Sequence, residues 1–283
     1  MTIIGCTGQG DAGGAPPSTP APVESREILG TNVSVVSPEL LVRVCEKWVG
    51  DGVDHVVVFR DVHGLMRARI DPSLRAAHEA ADIVAPDGLP IVWVARAEGC
   101  REIVRTSGPD LFPLIIAHGA PRGWRHYLYG GAPGIAAKVR ESFAEAGHVR
   151  FVGEFSPPFR ELTPDEDMEV CERIRAARPD FVWVGLGTPK QELWMAAHKG
   201  MLGGVVMLGV GAAFDMTAGV MPRAPGWMQR AGLEWAYRIG AEPRRLLGRY
   251  LRFAPRFAIA ALAEVVRVRL SAIFGSGTHI TKG

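Results

Sequence analysis

Polar residues follow several strand-like segments of this chain, and their types fit proton transfer and anion binding. Asp87 lies between Pro and Gly in "ADIVAPDGLPIVW", directly after a short apolar run. A carboxylate on such a turn can act as a general base, or it can simply cap the helix that follows. Upstream, "FRDVHG" places Asp61 and His63 after another strand end, and downstream Arg105 and Asp110 lie near a helix start. The candidate catalytic residues are Asp87, Arg105, Asp61, His63 and, further along the chain, Gln191; Asp110 is a candidate substrate-binding residue.

Two further segments end a strand in small residues. "RHYLYGGAPG" puts Gly130 and Gly131 before a helix, where bare backbone N–H groups can bind an anion. A tight turn that needs glycine explains the same pattern equally well. "MLGVGAAFDMTAG" contains Gly211 and Asp215. This segment could bind the ribose or the base of a nucleotide. Alternatively, its small residues could simply allow close packing of the chain.

A third segment, "VWVGLGTPKQELWM", favours a functional interpretation more strongly. Gly185, Gly187 and Thr188 end a buried strand, and Gln191 and Glu192 fall in the first turn of the next helix. Ligands of open α/β sheets bind at the carboxyl edge of the strands, which is where this combination is expected. An ordinary helix start would explain Glu192 alone.

The elements that must position these residues alternate along the chain from about residue 29 to residue 220. Apolar strand patterns recur between amphipathic helices, and Ser37 and Thr163 are predicted N-caps because each precedes a proline at the first helical position. Alternation of this kind predicts an α/β fold with a mostly parallel sheet and helices on both faces.

Two motif matches are interpreted as accidental. Residues 1–28 are predicted to be a disordered leader, and the "GQGDAG" within them is followed by prolines instead of the helix that a dinucleotide site needs. The run Asp165–Asp167 imitates an Asp-x-Asp metal motif, but it falls in the first turn of the Thr163-capped helix, where acids complement the helix dipole. We therefore predict no metal site and no cofactor.

Length, composition and charge limit the domain organisation, the compartment and the partners that this chain can have. The 283 residues suffice for one large domain with an appendage. Scattered cysteines without metal spacing, Cys6, Cys45, Cys100 and Cys171, indicate a reducing compartment and no disulfide framework. No uninterrupted apolar run is long enough to predict a membrane-spanning helix, and no signal peptide is predicted. Residues 221–283 hold 11 Lys/Arg and 3 Asp/Glu, a net charge of +8, so this segment is expected to meet an anionic partner.

Residues 221–283 are predicted to form a basic, amphipathic helical appendage, because no strand follows and prolines punctuate the helical segments. Its apolar residues are Trp227, Leu233, Trp235, Leu246 and Leu251. Its arginines recur 7, 4, 3 and 4 residues apart, which predicts one helical face broken at Pro255: Arg238, Arg245, Arg249, Arg252 and Arg256. The alternative is a solvated basic face on an ordinary surface helix.

Together and in this order, the segments resemble the WecG/TagA/CpsF family of bacterial glycosyltransferases, glycosyltransferase family 26. The resemblance covers about residues 35–257 and includes "SGPDL", "SPPFRELTP" and "RAPGWMQRAGLEWAYRIGAEPRRLLGRYL" besides the segments above. It implies a Rossmann-like core and a C-terminal appendage that docks on the cytoplasmic face of the plasma membrane as a peripheral protein. It also implies exchange between monomer and homo-oligomer.

The resemblance further implies an inverting, metal-independent transfer from a UDP-sugar to a polyprenyl-diphosphate-linked sugar in cell-surface polysaccharide synthesis. Asp87 matches the base, and Arg105 and Gln191 match active-site positions. The departing UDP would meet guanidinium groups, for which the candidates are Arg105, Arg223, Arg230 and Arg238. Two positions depart from the family pattern: Asp61 replaces the usual Asn, and Phe59 replaces a residue that can be Thr. A mechanism that uses this Thr is therefore not expected here, and the change points to an altered sugar or acceptor preference. The resemblance does not fix the donor sugar.

Two competing interpretations belong to other classes. One is a nucleotide-binding module without catalysis whose basic tail contacts nucleic acid, but the tail has no signature of a nucleic-acid-binding fold, and no nucleic-acid partner is expected. The other is an NAD-dependent oxidoreductase, whose glycine fingerprint occurs only in the predicted leader.

Overall fold

The computed structural model describes residues 23–144 and 147–275, without the side chains of residues 245 and 272–275. The strands are β1 Ser25–Ile28, β2 Thr31–Ser34, β3 His55–Arg60, β4 Ile83–Pro86, β5 Arg125–Gly130, β6 Arg150–Phe155, β7 Phe181–Gly185 and β8 Val206–Gly209. The first helices are α1 Pro38–Trp48, α2 Val62–Ala68, α3 Pro72–Glu79, α4 Leu89–Ala97, α5 Gly108–Gly119 and α6 Ile135–Ser142. They are followed by α7 Pro164–Ala177, α8 Lys190–His198, α9 Ala213–Thr217, α10 Gly226–Arg230, α11 Glu234–Ala241 and α12 Pro243–Gly275.

Six strands form one parallel sheet in the order β4-β3-β8-β7-β5-β6. The central register places Val57 opposite both Ile83 and Leu208, and Trp183 opposite Leu208 on the other side of β8. Helices cover both faces, as a parallel sheet requires to bury its two sides. The predicted α/β, Rossmann-like architecture with a C-terminal helical segment is confirmed.

Each face of the sheet has its own apolar core. On one face Val57, Trp183 and Leu208 pack with Phe112 and Ile115 of α5. On the other face the strands pack against α7 and α8 through residues that include Val58, Val184, Ile174 and Met195. Strands buried on both sides have nearly continuous apolar sequences, as "DHVVVF" at β3 and "DFVWVG" at β7 show.

The predicted N-caps are confirmed. The Ser37 side chain accepts a hydrogen bond from Leu40 N, and Thr163 forms a capping box with Glu166 at the start of α7. Asp167 of the same turn accepts from Trp194 Nε1 at 3.1 Å and lies 2.9 Å from His198 Nε2. The acids at Asp165–Asp167 therefore have helix-capping and packing roles.

Part of the segment predicted to be a disordered leader is folded. Ser25–Ile28, within the range assigned to it, forms β1, which pairs antiparallel with β2. Buried Ile28 packs with Leu65 and Ile91, and this apolar contact holds the hairpin to α2 and α4. The "GQGDAG" segment and Cys6 lie outside the described residues.

The C-terminal segment also differs from the prediction in two respects. Helix α12 continues through Pro255, because Phe257 and Ala261 beyond it are buried in a third core with residues of α2 and α4. Arg238 belongs to α11, so it does not share a helical face with the arginines of α12, and the side chain of Arg245 lies outside the description. Within the described ranges, no helix has both the length and the apolar character needed to cross a bilayer.

Candidate active site

The carboxyl ends of the parallel strands bring the predicted residues to one edge of the sheet. Asp61 follows β3, Asp87 follows β4, Gly185 ends β7 and Gly211 follows β8. Segments "FRDVHG" and "ADIVAPDG" become neighbours because β3 and β4 pair, with Arg60 opposite Pro86. The edge is the ligand-binding position of open α/β sheets.

Asp87 occupies a fixed turn. The backbone N–H groups of Asp87 and Gly88 donate to the Arg60 carbonyl at 2.9 and 3.3 Å. Burial raises the pKa of the Asp87 carboxyl to about 7; Arg105 opposes this shift, and the negative charge of Asp61 adds to it. Its side chain nevertheless keeps 29% of its surface exposed, so a substrate hydroxyl can reach the carboxylate.

Arg105 connects this turn to the C-terminal segment. Its Nε donates to the Asp87 carbonyl at 2.8 Å, and its Nη2 lies 3.6 Å from Asp87 Oδ1. Its two terminal nitrogens donate to Asp110 Oδ2 at 3.2 Å and to Glu234 Oε2 at 2.8 Å. One guanidinium therefore joins a strand end, a helix start and α11.

Arg223 completes what we call the acid–arginine cluster, which consists of Asp87, Arg105, Asp110, Arg223 and Glu234. The Arg223 guanidinium donates to Asp110 Oδ1, and its Nε lies 3.7 Å from Glu234 Oε1. The pKa of Asp110 is lowered despite its partial burial, because Ser107 and Arg223 donate to its carboxylate. Three carboxyl groups thus share two guanidinium groups at the sheet edge.

The other two arginines predicted to meet the leaving group, Arg230 and Arg238, lie in different surroundings. Arg238 lies near enough to Asp87 to lower the pKa of that carboxyl, and its own Nε is buried without a hydrogen-bond partner among the described residues. Arg230 is exposed at the end of α10. The fold therefore brings Arg223 and Arg238 to the Asp87 edge and leaves Arg230 on the surface.

Gln191 and its neighbours tie two strand ends together. The Gln191 side-chain oxygen accepts from Gly187 N at 3.1 Å, and its nitrogen donates to the Gly209 carbonyl at 2.8 Å. Glu192, also buried, accepts from Thr188 Oγ1 at 2.8 Å. The side-chain amide is thus engaged by the loop after β7 and by the last residue of β8, which indicates a positioning role for Gln191.

The glycines serve close packing at most of their predicted positions. A Cβ on Gly130 would lie 2.6 Å from the Gly185 backbone, and a Cβ on Gly185 would lie 2.7 Å from the Phe214 ring. The N–H of Gly131 donates to the Gly185 carbonyl at 3.0 Å, so it is already engaged. Gly187 has a positive φ and open space beside it. Of the two explanations for "YGG", these contacts favour the turn.

Asp61, His63 and Asp215 have local partners. Asp61 Oδ1 accepts from Gly64 N at 2.7 Å and caps α2. His63 packs edge-on against Phe253 of α12 with ring centroids 5.2 Å apart, and burial lowers its pKa. The Asp215 carbonyl accepts from the backbone N–H groups that follow α9, at Val220 and Met221.

Sequence reasoning missed Glu234 and Tyr250. Burial raises the pKa of the Tyr250 hydroxyl, and the negative charges of Asp61 and Asp87 add to the shift. Glu234 is one of only three acids in residues 221–283, so an isolated acid in a basic segment was the available signal. Nothing in the local pattern marks Tyr250.

Of the residues described here, no three His, Cys, Asp or Glu side chains form a group that could hold a metal ion. Cys45, Cys100 and Cys171 are buried and free.

The chain matches the model of the "Glycosyl transferase WecG/TagA/CpsF family" over residues 26–271. The match spans the six-stranded sheet, all five residues of the acid–arginine cluster and nearly all of α12. A carboxylate and several arginines at the carboxyl edge of a parallel sheet suit the transfer of a group that departs with phosphate. This chain therefore belongs to the WecG/TagA/CpsF family of glycosyltransferases, which act in cell-surface polysaccharide biosynthesis.

Proposed function

We propose that this chain transfers a sugar from a UDP-sugar to a polyprenyl-diphosphate-linked sugar, with inversion and without a metal ion. The observation that carries the proposal is Asp87, a reachable carboxyl with a pKa near 7 beside Arg105 and Arg238. A base works best when its pKa lies near the working pH, because it is then both deprotonated and able to hold a proton.

In the proposed step, a hydroxyl oxygen of the acceptor sugar attacks the anomeric carbon of the donor. The hydroxyl proton passes to the Asp87 carboxylate as the new C–O bond forms. The bond from the anomeric carbon to the β-phosphate oxygen breaks on the opposite face, and UDP leaves with the electron pair. Attack opposite the leaving group inverts the configuration, and general-base catalysis of this kind contributes roughly 10²–10⁴-fold.

Arginines stabilise the charge that develops on the leaving diphosphate. Arg105 and Arg223 already bind carboxylate oxygens of Asp110 and Glu234, and a guanidinium binds phosphate oxygens with the same geometry. Arg238 acts on the charge of Asp87, and its buried Nε has no hydrogen-bond partner within the described part of the chain. We propose that the donor diphosphate exchanges with Glu234 at these guanidinium groups.

The exposed face of α12 supports peripheral attachment to an anionic membrane at the cytoplasmic face. Large apolar residues recur every three or four positions except across Pro255, and all are exposed: Leu247, Leu251, Ile259, Leu262, Val266 and Leu270. We call this set the α12 stripe. Arg252, Arg256 and Arg267 lie beside the stripe, and basic residues near an anionic leaflet contribute about 1 kcal/mol each. An amphipathic helix of this composition binds in the plane of the interface.

A panel of UDP-sugars tests the donor class. The cognate UDP-sugar should raise Tm, because a ligand that binds only the folded state stabilises it by mass action. ADP-sugars and GDP-sugars serve as controls for general nucleotide binding. A larger rise with either of those would reject uridine as the donor base.

Asp87→Asn tests the base. We expect turnover to fall by about 10²-fold or more while UDP binding and folding persist, because the shape is kept and only the proton acceptor is lost. Asp71→Asn is the matched control, since Asp71 caps α3 away from the cluster and Asn caps equally well. Normal turnover by Asp87→Asn would remove Asp87 from the mechanism.

A further inference from the structure

A second polar cavity lies away from the acid–arginine cluster. It occupies about 170 Å³ between the β1–β2 hairpin and the α2–α3 corner, and it contains none of the cluster residues. Its polar lining includes Thr31, Asn32, Arg60, Arg75 and His78. We call it the hairpin cavity.

Arg60, which lines this cavity, is a buried cation without hydrogen bonds. Only 1% of the residue is exposed, and none of Nε, Nη1 and Nη2 has a partner among the residues described. Burial lowers the pKa of Arg60 to about 10, so the guanidinium still carries its charge at neutral pH. Buried charges in proteins are paired, because an uncompensated one costs several kcal/mol.

The acids that raise the pKa of Arg60 do not form hydrogen bonds with its guanidinium. Glu192 and Asp61 act on the Arg60 pKa from a distance only, without a hydrogen bond to it. Glu192 Oε1 accepts from Thr188, and burial raises the pKa of the Glu192 carboxyl. Asp61 Oδ1 caps α2.

The cavity walls add donors. Arg75 donates to the carbonyls of Ala68 and Arg69 at 3.2 and 2.8 Å, and neither carbonyl neutralises its charge. His78 is 5% exposed, and its Nδ1 has no partner within the described chain. Burial, together with Arg60, lowers the pKa of His78 to about 3, so the ring is a neutral hydrogen-bonding group.

We infer that the hairpin cavity binds a small oxyanion, of the carboxylate or phosphate type, through the guanidinium of Arg60 and the imidazole of His78. The volume is several times the roughly 30 Å³ of one water, which leaves room for such an anion. Glu27 and Glu79 also line the cavity and are exposed, and their charges disfavour a large polyanion. The Arg60 carbonyl also holds the Asp87 turn, so an anion on Arg60 would stabilise the same strand end.

The test is thermal unfolding with inorganic phosphate or acetate at constant ionic strength. We expect a rise in Tm of about 2–4 °C at concentrations several-fold above Kd for at least one of the two anions. Arg60→Met should abolish the rise. An Arg105→Gln/Arg223→Gln double variant should keep it, which separates this site from the cluster and from the proposed function.

Arg75→Gln and Arg69→Gln form a matched pair that does not depend on the folding of the Arg60 variant. Both residues are exposed, but only Arg75 lines the cavity, so only Arg75→Gln should reduce the rise. The inference is overturned if neither anion stabilises the protein, or if Arg60→Met or Arg75→Gln responds as the wild type does. Loss of the rise in the double variant would equally reject it.

Discussion

At the residue scale, the chemistry of Asp87 depends on opposing influences on one carboxyl. Burial raises its pKa to about 7, and Asp61 and Glu234 add to that shift. Arg105 and Arg238 oppose it. The acid is therefore neutral below pH 7 and a base above it, so the proposed activity rises with pH through this range.

Asp61→Asn should move this pH dependence without disturbing the fold. Asn caps α2 as well as Asp does, but it removes a negative charge near Asp87. With less like-charge repulsion the pKa of Asp87 falls, so the acid limb of kcat/KM should shift to lower pH. A pH–rate profile of both proteins measures the shift. If the acid side of the kcat/KM profile does not move, the charge of Asp61 does not influence the pKa of Asp87. Complete loss of turnover would instead make Asp61 essential for the reaction.

At the element scale, α11 brings an acid to the two arginines proposed for the leaving group. Glu234 lies at the first position of α11 and accepts from Arg105. The same carboxylate lies within 3.7 Å of Arg223. It both docks the helix and competes with any other anion for the same guanidinium groups.

Glu234→Gln should tighten UDP binding, on the order of tenfold, because it removes one of the carboxylates that occupy Arg105 and Arg223. Titration calorimetry with UDP measures the change. Glu172→Gln on the exposed side of α7 makes the same change in charge far from the cluster. Unchanged or weaker UDP binding would show that Glu234 mainly positions Arg105 and Arg223 and does not compete with UDP for them.

Helix α12 has two different faces. Leu246, Phe257 and Ala261 are buried, whereas the α12 stripe is exposed. The buried residues hold the helix to the domain, and the stripe is the face that we propose contacts lipid.

A Leu251→Ser/Ile259→Ser/Leu262→Ser variant should lose vesicle binding with little loss of stability. Each apolar side chain removed from contact with lipid forfeits about 1.5–3 kcal/mol of transfer energy, while exposed substitutions change folding by about 0.5 kcal/mol or less. Co-sedimentation with anionic vesicles measures binding. Phe159→Ser is the control, because Phe159 is also exposed but lies outside α12. Undiminished co-sedimentation would refute the role of the stripe.

At the scale of the whole molecule, the C-terminal segment is part of the folded structure. Phe257 and Ala261 join a core with Ile28 of the hairpin, Leu65 of α2 and Ile91 of α4. Glu264 of the same helix accepts from Leu29 N at 2.9 Å. The two ends of the described chain thus meet on α2 and α4, beside the turn that carries Asp87.

Phe257→Ala should destabilise the whole molecule by about 3 kcal/mol, because it opens a cavity in this third core. Ile259→Ala on the same helix is the matched control and should change stability by about 0.5 kcal/mol or less, since Ile259 is 72% exposed and Phe257 only 7%. Urea unfolding measures both. Equal effects would show that α12 does not pack as described.

The sequence by itself determined the local features of this protein: the alternation of strands and helices, the caps at Ser37 and Thr163, the turn at Asp87 and the family. These depend on periodicity and on residues close together in the chain, which a linear pattern records.

Only the tertiary structure decided which of the candidate residues meet. It joined Glu234 to Arg105 and Arg223 to Asp110, each across more than 100 residues, and it left Arg230 on the surface. It also engaged Gln191 with backbone groups and carried α12 through Pro255. The physical reason is that these outcomes depend on burial and charge pairing between distant segments, and on apolar contacts strong enough to override a local helix breaker.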